Sequence, residues 1–276
     1  MGTKHALLVL ALLVVGACSN ASSKPAGPVQ GLESGSELVL WAWHGEHDLR
    51  FLAERAPDAR PVSVAYLARR LVVRPNGVEA QLRSKALHLA ANAKLTAVVR
   101  IEIQPGLPSG ALTKALPQLV EHLAIAAAES DVVTLQIDFD APARLRPQYR
   151  ELLQSIRLRL PDDHKLEMTA LASWCLGDRW IDATLVDAVV PMLFEMGPES
   201  LAIRERLQRL AALPKPCAGN VGVSTTDLLP PLLAAKRLFV FAPGPWTKER
   251  LESVESGLAT GRWQHEGSEG SDPRGK

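Results

Sequence analysis

Several routes to function are closed by what this sequence has little of. Lys and Arg (31) balance Asp and Glu (30), leaving a formal net charge of +1. No basic excess is available to hold nucleic acid, and none is expected as a partner. No apolar run reaches the roughly 18 residues of a membrane-spanning helix. The first strand-like segment leads into HGEHDLRF (44–51), which has one glycine rather than the Gly-rich turn of a nucleotide-binding open sheet. His44 and His47 are three apart rather than four, so they read as a loop and not as the H-E-x-x-H metal pair. GVSTT (222–226) lacks the second glycine of a nucleophile elbow. Neither a cofactor nor a metal is expected. Tyrosine is scarce too, with two against five Phe and six Trp.

What is present begins with a processing signal. Lys4 and His5 precede a short apolar run (6–15), of the length of a secretory signal core rather than of a spanning helix. Val15-Gly16-Ala17-Cys18 resembles a bacterial lipobox, which implies cleavage before Cys18 and lipidation of that residue. Ser19, where an Asp would signal retention, resembles the outer-membrane sorting pattern of hosts with two membranes. The organisation read from the chain is therefore a signal peptide over 1–17 and a lipidated cysteine with a Ser/Ala/Gly/Pro-rich tether over 18–36. One folded domain over 37–263 and a polar, disordered tail over 264–276 follow. The lipid would tie the protein to a membrane of the cell envelope. Cys175 and Cys217 remain in the mature chain. An oxidising compartment favours their pairing, but spacing alone leaves it open.

Eight β-branched runs punctuate the folded part, at 38–43, 62–67, 96–103, 132–139, 165–173, 187–194, 220–225 and 237–242. Amphipathic helices are predicted after the third, fourth, sixth and eighth, over 111–129, 148–160, 199–213 and 247–258, with Pro117 as a kink or late start and Thr247 as an N-cap. After the second run, Leu71–Arg74, Pro75-Asn76-Gly77 and Val78–Leu82 read as a hairpin closed by an Asn-Gly turn. Strands alternating with helices at this length predict a (β/α)8 TIM-type barrel, slightly small, with an irregular, hairpin-like second unit.

Function in such a barrel lies at the C-terminal strand ends. The fourth run, VTLQIDFDAP (133–142), carries Asp138 and Asp140 two apart, on the face opposite Leu135, Ile137 and Phe139. The apolar set packs on helices and the acids face the barrel axis. Successive inward residues lie ~6.6 Å apart along the strand, so Asp138 is one step deeper than Asp140. A lone buried carboxylate costs several kcal/mol, and Arg100 on the preceding strand is its expected partner. Tryptophans gather at the same end. Trp41, Trp43, Trp174, Trp180 and Trp246, joined by Asp178, are the candidate ligand surface, because flat amphipathic rings stack on sugar faces.

IDFD resembles part of the D-x-x-D-x-D-x-E signature of chitinase-like glycoside hydrolases, in which the final Glu is the general acid. Asp138 and Asp140 match its second and third Asp, but the first falls on Leu135 and the Glu falls on Pro142. Further motifs occur in order: QIDFDAP, TALASWCLGDRW, VPMLFEMG, GVSTTD and FVFAPGPW. Together they resemble the bacterial domain of unknown function 3142 family, glycosidase-like TIM-barrel lipoproteins. That resemblance implies the fold and no established activity.

Two functions follow. A glycoside hydrolase needs two carboxyls, about 5–5.5 Å apart for retention or about 6.5–9.5 Å for inversion. Asp140 would be one, as nucleophile, base or orienter. Glu195 or Glu102 would be the acid, its pKa raised by apolar surroundings. The alternative is a non-catalytic lipoprotein that binds a saccharide or another envelope ligand, or serves as a scaffold, without the chitinase-type acid.

Overall fold

The computed structural model describes residues 32, 35–91, 93–178, 180–231 and 234–260. The signal segment, Cys18, most of the tether, Trp263 and the tail lie outside the described residues. Within them, strand alternation decides the architecture. Eleven strands run in chain order: β1 (Glu37–Ala42), β2 (His47–Asp48), β3 (Val62–Arg74), β4 (Gly77–Leu82), β5 (Leu87–His88), β6 (Leu95–Ile103), β7 (Val132–Asp138), β8 (Lys165–Leu171), β9 (Ala188–Met192), β10 (Asn220–Ser224) and β11 (Arg237–Phe241). Eight of them, β1, β3 and β6 to β11, pair in parallel, and β1 pairs with both β3 and β11, so the sheet closes into a barrel. The helices are α1 (Ser109–Ala127), α2 (Arg146–Arg157), α3 (Ala172–Leu176), α4 (Ser200–Gln208) and α5 (Lys248–Thr260).

Both faces of the barrel strands are covered, so their apolar runs are nearly continuous. Leu135, Ile137 and Phe139 are buried outward, in one cluster with Leu119 and Leu123 of α1 and Tyr149, Leu152 and Ile156 of α2. A second, smaller cluster fills the barrel: Val39, Trp41, Ala65, Val98, Val190 and Phe239. Gly222 is required beside it, since a Cβ there would lie 2.9 Å from Cη2 of Trp41. Polar groups thread the same interior in a satisfied chain. The Trp41 indole N–H donates to Gln136 Oε1 at 2.9 Å, Gln136 donates to Glu167 at 3.3 Å, and Arg237 pairs with the buried Glu167.

The second unit departs from the expected pattern. In place of a short strand followed by a separate hairpin, β3 is one strand of 13 residues. Its register to β6 shifts between Leu67 and Arg69, so Ala68 is an extra, bulged residue. β1 pairs with β3 only as far as Ala42–Tyr66; from Arg69 onward that edge of β3 belongs to the antiparallel β4. The hairpin continues past the end of β1 and forms a wall at the barrel mouth. Among the described residues no helix joins β3 to β6.

The helices are close to their expected spans, with two differences. Pro117 lies inside α1 and the helix continues past it. α4 ends at Gln208 rather than at 213. The N-cap of α5 is present: the Arg250 N–H donates to Thr247 Oγ1 at 3.2 Å.

Cys175 of α3 and Cys217, ahead of β10, form a disulfide with Cα atoms 5.8 Å apart, which settles the pairing left open by spacing. It closes a loop across a sequence separation of 42. Cys217→Ser is expected to lower stability by about 2–4 kcal/mol. Equilibrium denaturation should show that loss, and reductant should reproduce it in the wild type.

Candidate functional site

The strand ends that were expected to carry function surround an open cleft of about 610 Å³. Each wall follows from strand parity. On β6, Arg100 and Glu102 alternate with the outward Val99 and Ile101, and Arg100 is in register with Asp138 of β7. Arg100 Nη1 donates to Asp138 Oδ2 at 2.8 Å, and Thr169 Oγ1 of β8 donates to Asp138 Oδ1 at 2.7 Å. Asp138 is 1% exposed, so both oxygens are satisfied away from water. Burial pushes this carboxyl above the ordinary range, while Arg100 and Thr169 oppose the shift.

Asp140 stands just beyond the end of β7. Phe139 is anchored outward, edge-on to Tyr149 with centroids 5.0 Å apart. The Ala141 N–H then turns back onto the Phe139 carbonyl at 2.8 Å, which leaves Asp140 at the apex of a tight turn and on the cleft wall. Its carboxyl makes no direct hydrogen bond or ion pair among the described residues. Asp140 as a whole is exposed on the cleft, yet partial burial of its carboxyl against the wall, with the Asp138 charge, pushes its pKa up to about 6, and Arg100 opposes the shift.

Glu102 has the opposite surroundings. Arg70 engages both of its oxygens and Arg100 Nε donates to it at 3.0 Å, and this pairing holds it below the usual carboxylate range. The expectation that Glu102 is an acid with a raised pKa is therefore corrected: two guanidiniums keep it ionised. Arg70 is a cleft residue that alternation from the start of β3 misses. The Ala68 bulge reverses the parity of the strand, bringing Arg70 inward opposite Arg100 and turning Arg69 outward to Glu129, at 3.0 Å. Thr169 was legible as an inward residue of β8, two positions after Glu167.

Glu195 follows β9, which β8 alone separates from β7, and it lines the same cleft as Asp140. Its backbone is left-handed, with φ 48°. That conformation costs a non-glycine residue roughly 1–2 kcal/mol. Glu195 N–H donates to Asp227 Oδ2 at 3.3 Å, and Arg204 holds Asp227 at 2.6 Å.

The tryptophans divide. Trp41 and Trp43 reach the cleft, with Phe194 and Phe241 stacked parallel beside them at 5.9 Å. Arg100 sits 5.5 Å over the Trp43 ring, and the buried Trp43 indole N–H has no hydrogen-bond partner among the described residues. Trp174, Trp180, Trp246 and Asp178 do not line the cleft, which corrects their grouping as a ligand surface. Trp174 and Trp180 pack edge to face at 4.9 Å on the outer layer. Arg146 lies near both rings, at 5.7 and 5.4 Å, and takes Asp178 as its ion pair. Trp246 is 1% exposed and donates its indole N–H to the Trp41 carbonyl at 3.0 Å. Such rings follow strand ends in the sequence, yet they fill the layer between barrel and helices.

The fold and its cleft define a closed, eight-stranded parallel barrel of the TIM type, open at the C-terminal ends of its strands. A GH18 chitinase from Pseudoalteromonas aurantia is similar in structure, with a TM-score of 0.50 and 11% sequence identity, over 74% of this chain and 93% of that chain. The likeness is one of barrel fold. No family model and no curated protein matches the chain.

Proposed function

We propose that the cleft binds a saccharide and hydrolyses a glycosidic bond, with Asp140 as the proton-carrying carboxyl and Glu195 as the second carboxyl. One observation carries this reading: Asp140 is an unpaired cleft carboxyl with a pKa of about 6, close to where a group both gives and takes a proton near neutrality. Asp138, Arg100 and Thr169 would position the strand end beneath it. A sugar face would stack on Trp43 or Phe241, whose rings stand edge to face on the cleft wall. Asp140 would protonate the departing glycosidic oxygen, and Glu195 would activate a water or stabilise the developing positive charge on the sugar. The strained backbone of Glu195 supports its role, since strain of this kind gathers at working sites.

The motifs from QIDFDAP to FVFAPGPW support membership of the domain of unknown function 3142 family. The lipobox supports an envelope lipoprotein, held through Cys18 in the outer membrane where the host has two membranes. A second reading has its own support. Pro142 occupies the position of the chitinase-type acid, so the cleft would hold a saccharide without cleaving it. A glycan panel separates the two, read by calorimetry for binding and by release of reducing ends for cleavage. Binding with release is the expected result. Binding without release favours the second reading, and no binding of any glycan overturns both.

A further inference from the structure

A second, smaller pocket of about 190 Å³ lies between the end of β1 and the β3–β4 hairpin. It shares Trp43, His44, Leu67 and Arg70 with the large cleft, so the two adjoin. Its lining is cationic: Arg69, Arg70, Arg83 and Lys85 contribute to it, and among the described residues no Asp or Glu does. Arg69 and Arg70 are neutralised from outside the pocket, by Glu129 and Glu102. Arg83 and Lys85 have no carboxylate partner among the described residues. Arg83 donates instead to three carbonyls at and after the end of β1, those of Ala42 (3.2 Å), Trp43 (3.0 Å) and Gly45 (2.7 Å), while its Nε is buried without a partner among the described residues. Three neutral acceptors fix the position of this guanidinium and leave its charge uncompensated.

We infer that this pocket is a subsite for an anionic group, a carboxylate or a sulfate, borne by the saccharide in the adjoining cleft, which makes the substrate an acidic glycan. The inference rests on the saccharide reading above. Two uncompensated cations in a concave, partly desolvated pocket attract an anion more strongly than an exposed pair does. Burial already works against the charge on Arg83, and an anionic ligand would relieve that cost. The charged groups of the pocket, guanidinium and ammonium, only donate, beside Ser84, Gln81 and His44, which can do both. An oxyanion, which only accepts, matches that set better than a sugar hydroxyl, which both gives and accepts. The hairpin that replaces the second helix of the barrel supplies this wall, so the irregular unit acquires a role in selecting the ligand.

The test is a glycan array carrying uronate and sulfated oligosaccharides beside their carboxyl-reduced and desulfated counterparts. The best pair is then titrated against the wild type and Lys85→Glu. The anionic member is expected to bind about tenfold more tightly than its neutral counterpart, with the preference shrinking as salt rises. Lys85 is exposed, so Lys85→Glu should keep the wild-type melting temperature while reducing the preference to within about twofold. The uronate and sulfate arms show which oxyanion is taken. Equal binding of charged and neutral partners, or a preference unchanged in Lys85→Glu, overturns this inference alone. Failure of every glycan to bind overturns it together with the saccharide reading.

Discussion

Asp140→Asn is expected to lower glycan turnover by about 10²–10⁴-fold, the usual worth of a positioned acid–base group, while making the protein slightly more stable above pH 7. The two effects share one cause. Asp140 has a pKa of about 6 in the folded protein, above the ordinary value of 3.8. The folded state therefore holds the Asp140 proton more tightly than the unfolded chain does. Below the unfolded value the group is neutral in both states and contributes nothing. As pH rises through about 6 the folded carboxyl must ionise against its surroundings, and that cost is complete above it. Asparagine removes the cost. The melting temperature of Asp140→Asn should exceed that of the wild type at pH 8 and match it near pH 3. The rate of the wild type should fall as pH rises past about 6, because the acid form is then lost. A pH–rate profile and parallel melts check both halves. Turnover retained in Asp140→Asn removes the assignment, whatever the melts show.

Arg100→Met is expected to cost about 3–5 kcal/mol, the usual penalty for leaving one member of a buried pair alone. Asp138 would keep only the Thr169 hydroxyl, at 2.7 Å, in a site 1% exposed. Burial already raises this carboxyl, and Arg100 is the largest opposing influence. Without it the folded pKa moves further above the unfolded one, so the loss should be greatest at pH 8 and shrink toward pH 5 as the carboxyl accepts a proton. Arg100→Met/Asp138→Asn should recover part of the stability, since the amide carries no charge. Denaturant titrations of the single and double variants at both pH values measure this. An Arg100→Met loss that is independent of pH, with no recovery in the double variant, would mean that packing of the arginine stem, and not the ion pair, carries the effect. Arg100 also opposes the upward shift of Asp140, so the descending limb of the rate profile should move to higher pH in Arg100→Met.

Much of the fold was legible because burial on both faces leaves a clear mark. VTLQID, with its apolar residues outward and its polar residues inward, reads as a barrel strand once helices flank it, and the same parity pairs Arg100 with Asp138. The site was legible only in part. Position after a strand end does not say which way a ring turns, so Trp43 and Trp174 look alike in sequence. One lies on the cleft, and the other packs under Arg146 in the outer layer. Nor does parity survive a bulge. A single extra residue at Ala68 exchanges Arg69 for Arg70, and with it the ionisation of Glu102.

By itself the sequence determined the alternation of strands and helices, the closed barrel they imply, the depth difference between Asp138 and Asp140, and a proline, Pro142, where the signature it resembles has Glu. Those properties are local or periodic, and each follows from side-chain direction along one segment. The tertiary structure alone decided which carboxyl is free to carry a proton. It sets Glu102 between two guanidiniums and leaves Asp140 unpaired on the cleft wall. A pKa depends on every charge and every buried surface within a few ångströms, and those come from strands far apart in the chain.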